Sequence, residues 1–499
     1  MLVIISDLHL NDGTTGATLA PAAVSLFIQR LREMAFGASW RADGTYRPIE
    51  RIDLVLLGDT LDLLRSTRWR AVPAIRPWGN LHAPELLGQI TEITNEILAQ
   101  NEQSAAMLRA LGSEAVVTVP PMLRLARPAR EADEQPVPVR IHYMVGNHDW
   151  FFHVGGPDYD ALRETMVERL GLANRSDQPF PHDITESDEL LQAMRRHKVT
   201  ARHGDLYDPL SFEGDRDAAS LGDALVIELV SRFAAEVEAA MGNVLPVATL
   251  VELRELDHLR PLLLVPVWLD GLLERTCPAL ALRKRLKTLW DRLADEFLAG
   301  PFVRQRDHWS APDLVDGLAR ALKYSKRISS GWSSAILQWL QKIRGADTPS
   351  YYPHALTEAD FRNRRAKHVV YGHTHAGECV PLDASYAEGY VLDQMYFNAG
   401  TWRRVFGQTR FTPGGQEFIA SDAMSYLAFF QGDERGGRPY ETWSGLLGHR
   451  AADLIVHRID PGRGKRLSVA AGSPTSLPIH APHFATLPGQ STGQPARRI

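Results

Sequence analysis

Short apolar runs that stop abruptly at polar, often glycine-containing clusters recur along the chain. Leu2–Ser6 stops at Asp7 and Ile52–Leu57 at Gly58-Asp59. Ile141–Val145 stops at Gly146-Asn147-His148-Asp149, Val199–Arg202 at His203-Gly204-Asp205, and His368–Tyr371 at Gly372-His373-Thr374-His375. Runs of this length without polar alternation predict strands covered on both faces. Polar residues just beyond such strand ends are where open α/β sheets place their sites. Helical spacing covers Pro84–Leu111 and Tyr159–Leu170, giving the alternation of an α/β fold. The charged, proline-containing stretch Arg127–Pro138 reads as a loop.

From Pro209 to about Leu356 strand signals vanish. Leucine and alanine recur at helical spacing through Ala218–Met241, Leu280–Leu298 and Leu314–Leu322. After Thr401, the segments Gln416–Ser421, Ser425–Gln431 and Leu454–Ile459 read as strands of a second sheet. The expected organisation is a discontinuous α/β core over 1–208 and 357–470, a helical insertion or cap over 209–356, and a disordered tail over 471–499, rich in Pro, Gly, Ser and Thr.

Composition narrows the function classes. With 55 Lys and Arg against 60 Asp and Glu, the chain carries a net charge of −5, whereas nucleic-acid binding usually draws on a basic surface. Nucleic acid is therefore not an expected partner. The two cysteines, Cys277 and Cys379, are far apart and form no disulfide framework, which fits a reducing compartment. No basic n-region precedes the apolar start, and no apolar run approaches the roughly 18 residues of a membrane span. A cytoplasmic protein is expected, with peripheral membrane contact left open and no expectation about its oligomeric state.

Each strand end carries residue types that ligate metals. In Asp7-Leu8-His9 the two polar side chains share one side of an extended segment. Asp59 follows a glycine turn with Asp62 three residues on; alone, Asp59 reads equally as a helix N-cap. Gly146 permits a sharp exit from its strand, and Asn147 supplies an oxygen ligand. Two imidazoles at i and i+2, His373 and His375, can grip neighbouring ions. It is the set, in one order and each member after a predicted strand, that points to a metal centre.

This series, Asp7-x-His9, Gly58-Asp59-x-x-Asp62, Gly146-Asn147-His148-Asp149, His203 and Gly372-His373-x-His375, resembles the calcineurin-like metallophosphoesterases over about residues 1–208 and 361–460. The resemblance implies two β-sheets in a sandwich flanked by helices, here with a large helical insertion. It also implies two divalent metal ions. Asp7, His9 and His375 would hold one, Asn147, His203 and His373 the other, and Asp59 would bridge them. Two cations about 3.5–4 Å apart require such an anionic bridge. Mixed N and O ligands suit Mn, Fe, Zn or Co, with Mn favoured, and the absence of thiolates speaks against a closed structural zinc site. The implied activity is hydrolysis of phosphate esters or anhydrides, by a metal-bridging hydroxide attacking phosphorus. His148, not needed as a ligand, would be the general acid and Asp62 would orient it.

Weaker candidates are Arg403 and Arg404 for a phosphate group and His153 for a substrate contact. His142 reads as a packed strand residue, Asp149 and Asp205 as supporting groups, and Trp150-Phe151-Phe152 as core or pocket wall. Ser6-Asp7-Leu8-His9-Leu10, His203-Gly204-Asp205 and the insertion before Gly372-His373-Thr374-His375 also resemble the UDP-diacylglucosamine pyrophosphatases of lipid A synthesis. This chain departs from those in having His148 where they usually carry Arg, and in its longer insertion. The substrate is accordingly expected to be a small-molecule or lipid-linked phosphate. The alternatives are a nuclease of the same superfamily or a metal-holding scaffold without catalysis. The apolar stretch Leu262–Leu269 admits two readings, a core private to the insertion or a surface selecting an apolar substrate group.

Overall fold

The computed structural model describes residues 1–129, 133–256, 265–307, 314–325, 350–382, 394–412 and 415–446. The chain divides into a compact unit over Met1–Gly448 and a second over His449–Ile499; the second lies outside the described residues. So do the Leu454–Ile459 strand and the 471–499 tail expected from sequence.

The fold is mixed α/β. In the first sheet, parallel strands β1 (Leu2–Ile5), β2 (Ile52–Leu57) and β3 (Val139–Met144) run side by side. The second sheet contains β4 (Val199–Ala201), β5 (His368–Tyr371), β6 (Glu378–Pro381) and β7 (Met395–Asn398), in the order β4-β5-β7-β6 with only β6 antiparallel. The first sheet is completed by β8 (Arg404–Thr412), β9 (Gly415–Phe429) and β10 (Tyr440–Leu446). The long β9 pairs with β8 through its first half, and its second half lies between β1 and β10.

Strand periodicity explains the layering. Successive side chains point to opposite faces, and both faces of the first sheet are covered. Val3, Ile5, Leu54, Leu56, Ile141 and Tyr143 enter the core shared with helices α1 (Pro21–Ala38), α2 (Pro84–Gln100), α3 (Glu102–Ser113) and α4 (Pro157–Leu170). Leu2, Ile4, Val55, Leu57 and Met144 instead meet Val199, Ala201, Val370 and Phe397 of the second sheet. Proline opens α1, α2 and α4, where its missing N–H costs nothing. Gly171 ends α4 in the left-handed conformation that favours glycine.

The helices expected from sequence appear, with Asn101 dividing the first expected stretch into α2 and α3. The loop over Arg127–Pro138 is corrected in part: Gln135–Pro136 pairs with Thr118–Val119, the end of the segment having turned back into a two-residue ladder. Beyond Pro209, a helical run from Leu221 to Met241 contains a π-helical stretch, Val226–Val230. Further helices follow at Val247–Leu253, Val265–Thr276, Leu280–Ala299 and Leu314–Ser325. Leu229, Phe233, Trp268, Leu272, Trp290, Leu293 and Phe297 bury one another in a separate core. Of the Leu262–Leu269 stretch, Val265, Trp268 and Leu269 belong to that core; residues 262–264 lie outside the described residues. Among the described residues, no helix is long and apolar enough to cross a membrane.

Candidate metal centre

Because β1, β2, β3, β4, β5 and β7 are parallel within their sheets, their C-terminal ends present the polar clusters along one side of the molecule. Main-chain hydrogen bonds lock the first two loops together: Asp7 N donates to Gly58 O (3.2 Å), His9 N to Asp59 O (2.9 Å) and Leu10 N to Thr60 O (2.9 Å). Gly372 N donates to His203 O at 2.8 Å, tying the β4 and β5 ends. Two glycines permit the approach. A methyl group on Gly146 would overlap Asp59 Oδ1 and the His203 ring, and one on Gly372 would overlap Ser6 Oγ and Asp7 Oδ2.

Asp7, His9, Asp59, Asn147, His203, His373 and His375 are thereby brought together and buried. His9 Nε2 and His375 Nε2 lie 3.0 Å apart, and His375 Nε2 lies 3.2 Å from Asp7 Oδ1. Asp59 Oδ2 lies 3.6 Å from His9 Nε2 and 3.2 Å from His203 Nε2. Asn147 Oδ1 lies 2.9 Å from His373 Nδ1.

The atoms that carry no hydrogen bond define the chemistry. The His373 amide donates to Asp7 Oδ2 (3.0 Å) and the His148 amide to Asp59 Oδ1 (2.8 Å). Asp7 Oδ1, Asp59 Oδ2 and His203 Nε2 are buried without a hydrogen-bond partner. His203 Nδ1 must donate to the Leu57 carbonyl at 2.9 Å, so a neutral ring turns its Nε2 lone pair toward the Asp59 carboxylate. His9 Nδ1, 3.0 Å from Asp62 Oδ2, likewise leaves Nε2 aimed into the cluster. Lone pairs facing one another at these distances repel unless a positive charge lies between them. A proton provides that charge in the bare protein: burial opposes ionisation of His203, yet Asp59 and Asp7 push its pKa up to about 10. Asp59 is buried too, and the neighbouring His203 and His148 hold it well below the usual carboxylate range. The oxygen and imidazole donors fit a divalent cation at the same place.

Backbone strain marks the same residues. Among the described residues nine non-glycine positions have left-handed φ, and five of them are Asp7 (56°), His9 (46°), Asp59 (50°), His373 (66°) and His375 (60°). Such conformations cost of order 1–3 kcal/mol each and cluster at functional sites held by their surroundings.

The supporting groups are also placed. His148 Nδ1 sits 2.7 Å from Asp62 Oδ1, and the His148 and His9 rings meet edge-on at 4.7 Å. His148 also falls within an overlapping ligand-type group with His9 and Asp59. Asp149 staples two loops, accepting from Thr60 N (2.8 Å), Gly146 N (2.7 Å) and Tyr143 Oη (2.6 Å); burial and Asp59 push its pKa up to about 6. Asp205 pairs with Arg216 at 2.5 Å. Arg403 is buried and donates from Nη1 to the His9 carbonyl at 2.6 Å, holding that loop, while Arg404 is half-buried at the start of β8. His142 is buried in β3, 3.4 Å from Asp53. Trp150, Phe151 and Phe152 are core residues. His153 is turned to Asp217 at 2.6 Å.

Sequence reasoning missed four groups. Ser6 Oγ donates to Asp7 Oδ2 (2.5 Å), Thr401 Oγ1 to Asp7 O (2.8 Å) and Asn398 Nδ2 to Gly372 O (2.8 Å), while Asp208 Oδ2 lies 3.1 Å from His373 Nε2. Asn398 and Thr401 had a usable signal, being polar residues at the end of a short apolar run. Asp208, five residues beyond His203, had none. No protein-family model matches the chain, and no curated protein matches it in sequence.

Proposed function

We propose that the chain is a dinuclear metal-dependent hydrolase of phosphate esters or anhydrides, of the calcineurin-like kind that its motifs resemble. The observation that carries this reading is the buried, unbonded set Asp7 Oδ1, Asp59 Oδ2 and His203 Nε2, with Asp59 Oδ2 3.2 Å from His203 Nε2, Asp7 Oδ1 3.2 Å from His375 Nε2, and His9 Nε2 3.0 Å from His375 Nε2. Asp7, His9 and His375 would hold one ion, Asn147, His203 and His373 the other, and Asp59, within reach of both groups, would bridge. When bound, the two divalent cations would supply a nucleophile near neutral pH and neutralise charge on the phosphoryl oxygens.

The residues of the chain do the rest. Asp62 accepts from His9 Nδ1 through one oxygen and from His148 Nδ1 through the other, so a single carboxylate fixes two tautomers. It keeps His9 Nε2 available as a ligand atom. It also stabilises a protonated His148, which carries its transferable proton on Nε2 and delivers it to the leaving oxygen. Asp149 holds the Asp59 and Asn147 loops in register, and Arg403 holds the carbonyl of His9.

Hydrolysis of bis-p-nitrophenyl phosphate by the full chain, stripped of metal and refilled with Mn2+, tests the reading, alongside elemental analysis. Manganese-dependent turnover with about two metal equivalents is the expected result. Two bound metals with no turnover on this or a panel of phosphate esters and diphosphates would mean a scaffold. A substrate series running from small diesters to lipid-linked diphosphates would show whether the helical segment contributes selectivity.

A further inference from the structure

A second group of histidines lies outside the strand-end cluster. His153 ends the 3-10 turn Trp150–His153, and His182 and Glu186 belong to the connection between α4 and helix α5 (Asp188–Arg196). His153 Nε2 and His182 Nδ1 are 3.3 Å apart. His182 Nδ1 is 2.9 Å from Glu186 Oε1, and His153 Nε2 is 3.7 Å from Glu186 Oε2. These side chains are 18%, 27% and 35% exposed, so an ion from solution can reach them.

The three side chains are close enough to share one metal ion. Zinc–nitrogen bonds of about 2.0–2.1 Å at tetrahedral angles put neighbouring ligand atoms roughly 3.3 Å apart. The two imidazoles meet that value at 3.3 Å, the two Glu186 oxygens lie 2.9 Å (Oε1, from His182 Nδ1) and 3.7 Å (Oε2, from His153 Nε2) away, and one ligand atom from each residue lies within 4.8 Å of the others. The second observation is on the far side of the ring. His153 Nδ1 lies 2.6 Å from Asp217 Oδ1, so Nδ1 carries a hydrogen and a neutral His153 points its Nε2 lone pair at His182 and Glu186. A carboxylate behind a ligating imidazole is the usual device for orienting it on a metal. The Glu186 carboxylate is itself held, Oε2 accepting from the His182 amide at 2.9 Å.

We propose that His153, His182 and Glu186 form a mononuclear site for a borderline divalent cation such as Zn2+, with Asp217 as the positioning residue behind His153. Two imidazoles and one carboxylate leave a fourth position open to water or an anionic group. The ion ties three stretches of chain: the segment just after Asn147 and His148, the α4–α5 connection, and the start of the helical region, which supplies Asp217.

The test is zinc content of the full-length chain, stripped with chelator, refilled with Zn2+ and desalted. Wild type should hold one equivalent more than His182→Gln or Glu186→Gln; the glutamine amide oxygen still accepts from the His182 amide, so the local cap survives. Both variants should leave hydrolysis of bis-p-nitrophenyl phosphate unchanged. Equal zinc in all three proteins overturns the proposal and leaves an ion-paired network. Asp59→Asn separates this site from the buried one, because it should lose buried metal yet keep the equivalent that His182→Gln removes. If Asp59→Asn loses no metal while His182→Gln does, the buried reading fails and this site stands.

Discussion

The two histidine–carboxylate clusters are made of the same side chains in opposite settings. In the buried one, Asp7, His9, Asp59, His373 and His375 stand in left-handed backbone, and main-chain amides tie down one oxygen of each aspartate. In the half-exposed one, His153, His182 and Glu186 have ordinary backbone among the described residues, and side chains and two amides, those of His182 and Asp183, do the holding. Burial makes the difference. Charges withdrawn from water must be matched atom by atom, and that demands a geometry which ordinary backbone does not reach. At the surface, water completes whatever the side chains leave undone.

The sharpest way to break that contrast is at Asp59. Asp59→Asn keeps the shape but weakens the proposed bridge, and turnover should fall by roughly 10³-fold or more, comparable to losing a principal electrostatic group. Metal content should fall with it. Near-normal turnover with two metals, read by initial rates and elemental analysis, would sink the assignment. His148→Ala should keep both metals and lose about 10²–10⁴ in turnover, less for p-nitrophenolate than for alkoxide leaving groups. An equal loss across leaving groups would remove His148 from the proton-transfer role.

Packing comes next in size. Gly146→Ala drives a methyl group into Asp59 Oδ1 and His203 and should cost about 1–3 kcal/mol in urea unfolding, together with metal affinity. An alanine at Gly155, which meets open space beside the exposed cluster, should change stability far less. A loss that depends on pH lies away from both clusters. Burial pushes the His197 pKa down to about 4, with the adjacent amino terminus adding to the shift and its Nδ1 bonded to Ala193 O at 2.8 Å. The unfolded chain then binds the extra proton, so stability is full above about pH 6.5 and declines as pH falls toward 4. Unfolding curves at pH 7 and pH 4.5 should show this loss, on the order of 1–2 kcal/mol, reduced in His197→Asn. An unchanged pH dependence in that variant would assign the loss to other groups.

The same contrast explains what could be read from sequence. The buried centre was legible because strained loops after strands need glycines and polar residues in short, local patterns, as in Gly146-Asn147-His148 and Gly372-His373-Thr374-His375. The second cluster left no such pattern: His153, His182 and Asp217 meet only through the fold. Helix α1 was not foreseen either, although Val24, Phe27, Ile28, Leu31 and Met34 bury one face of it. Neither were β6, β8 and β10, whose lengths and partners depend on neighbours far along the chain. The two segments expected over Gln416–Ser421 and Ser425–Gln431 as strands of a second sheet are one strand, β9, and it lies in the same sheet as β1; a strand paired with different partners along its length carries no single alternation.

The pairing of β1 with β9 also sets an order of events during synthesis. Leu2 lies opposite Phe429 and Ile4 opposite Leu427. At a translation rate of about 5–20 residues per second, roughly 20–90 s separate the emergence of β1 from that of its antiparallel neighbour. During that interval β1 can take β2 on one side, but its other edge stays open, and Leu2 and Ile4 lack the second sheet that covers them. An open apolar edge is a template for other chains. The nascent protein therefore depends on shielding at its first strand until almost the whole of its described length has left the ribosome.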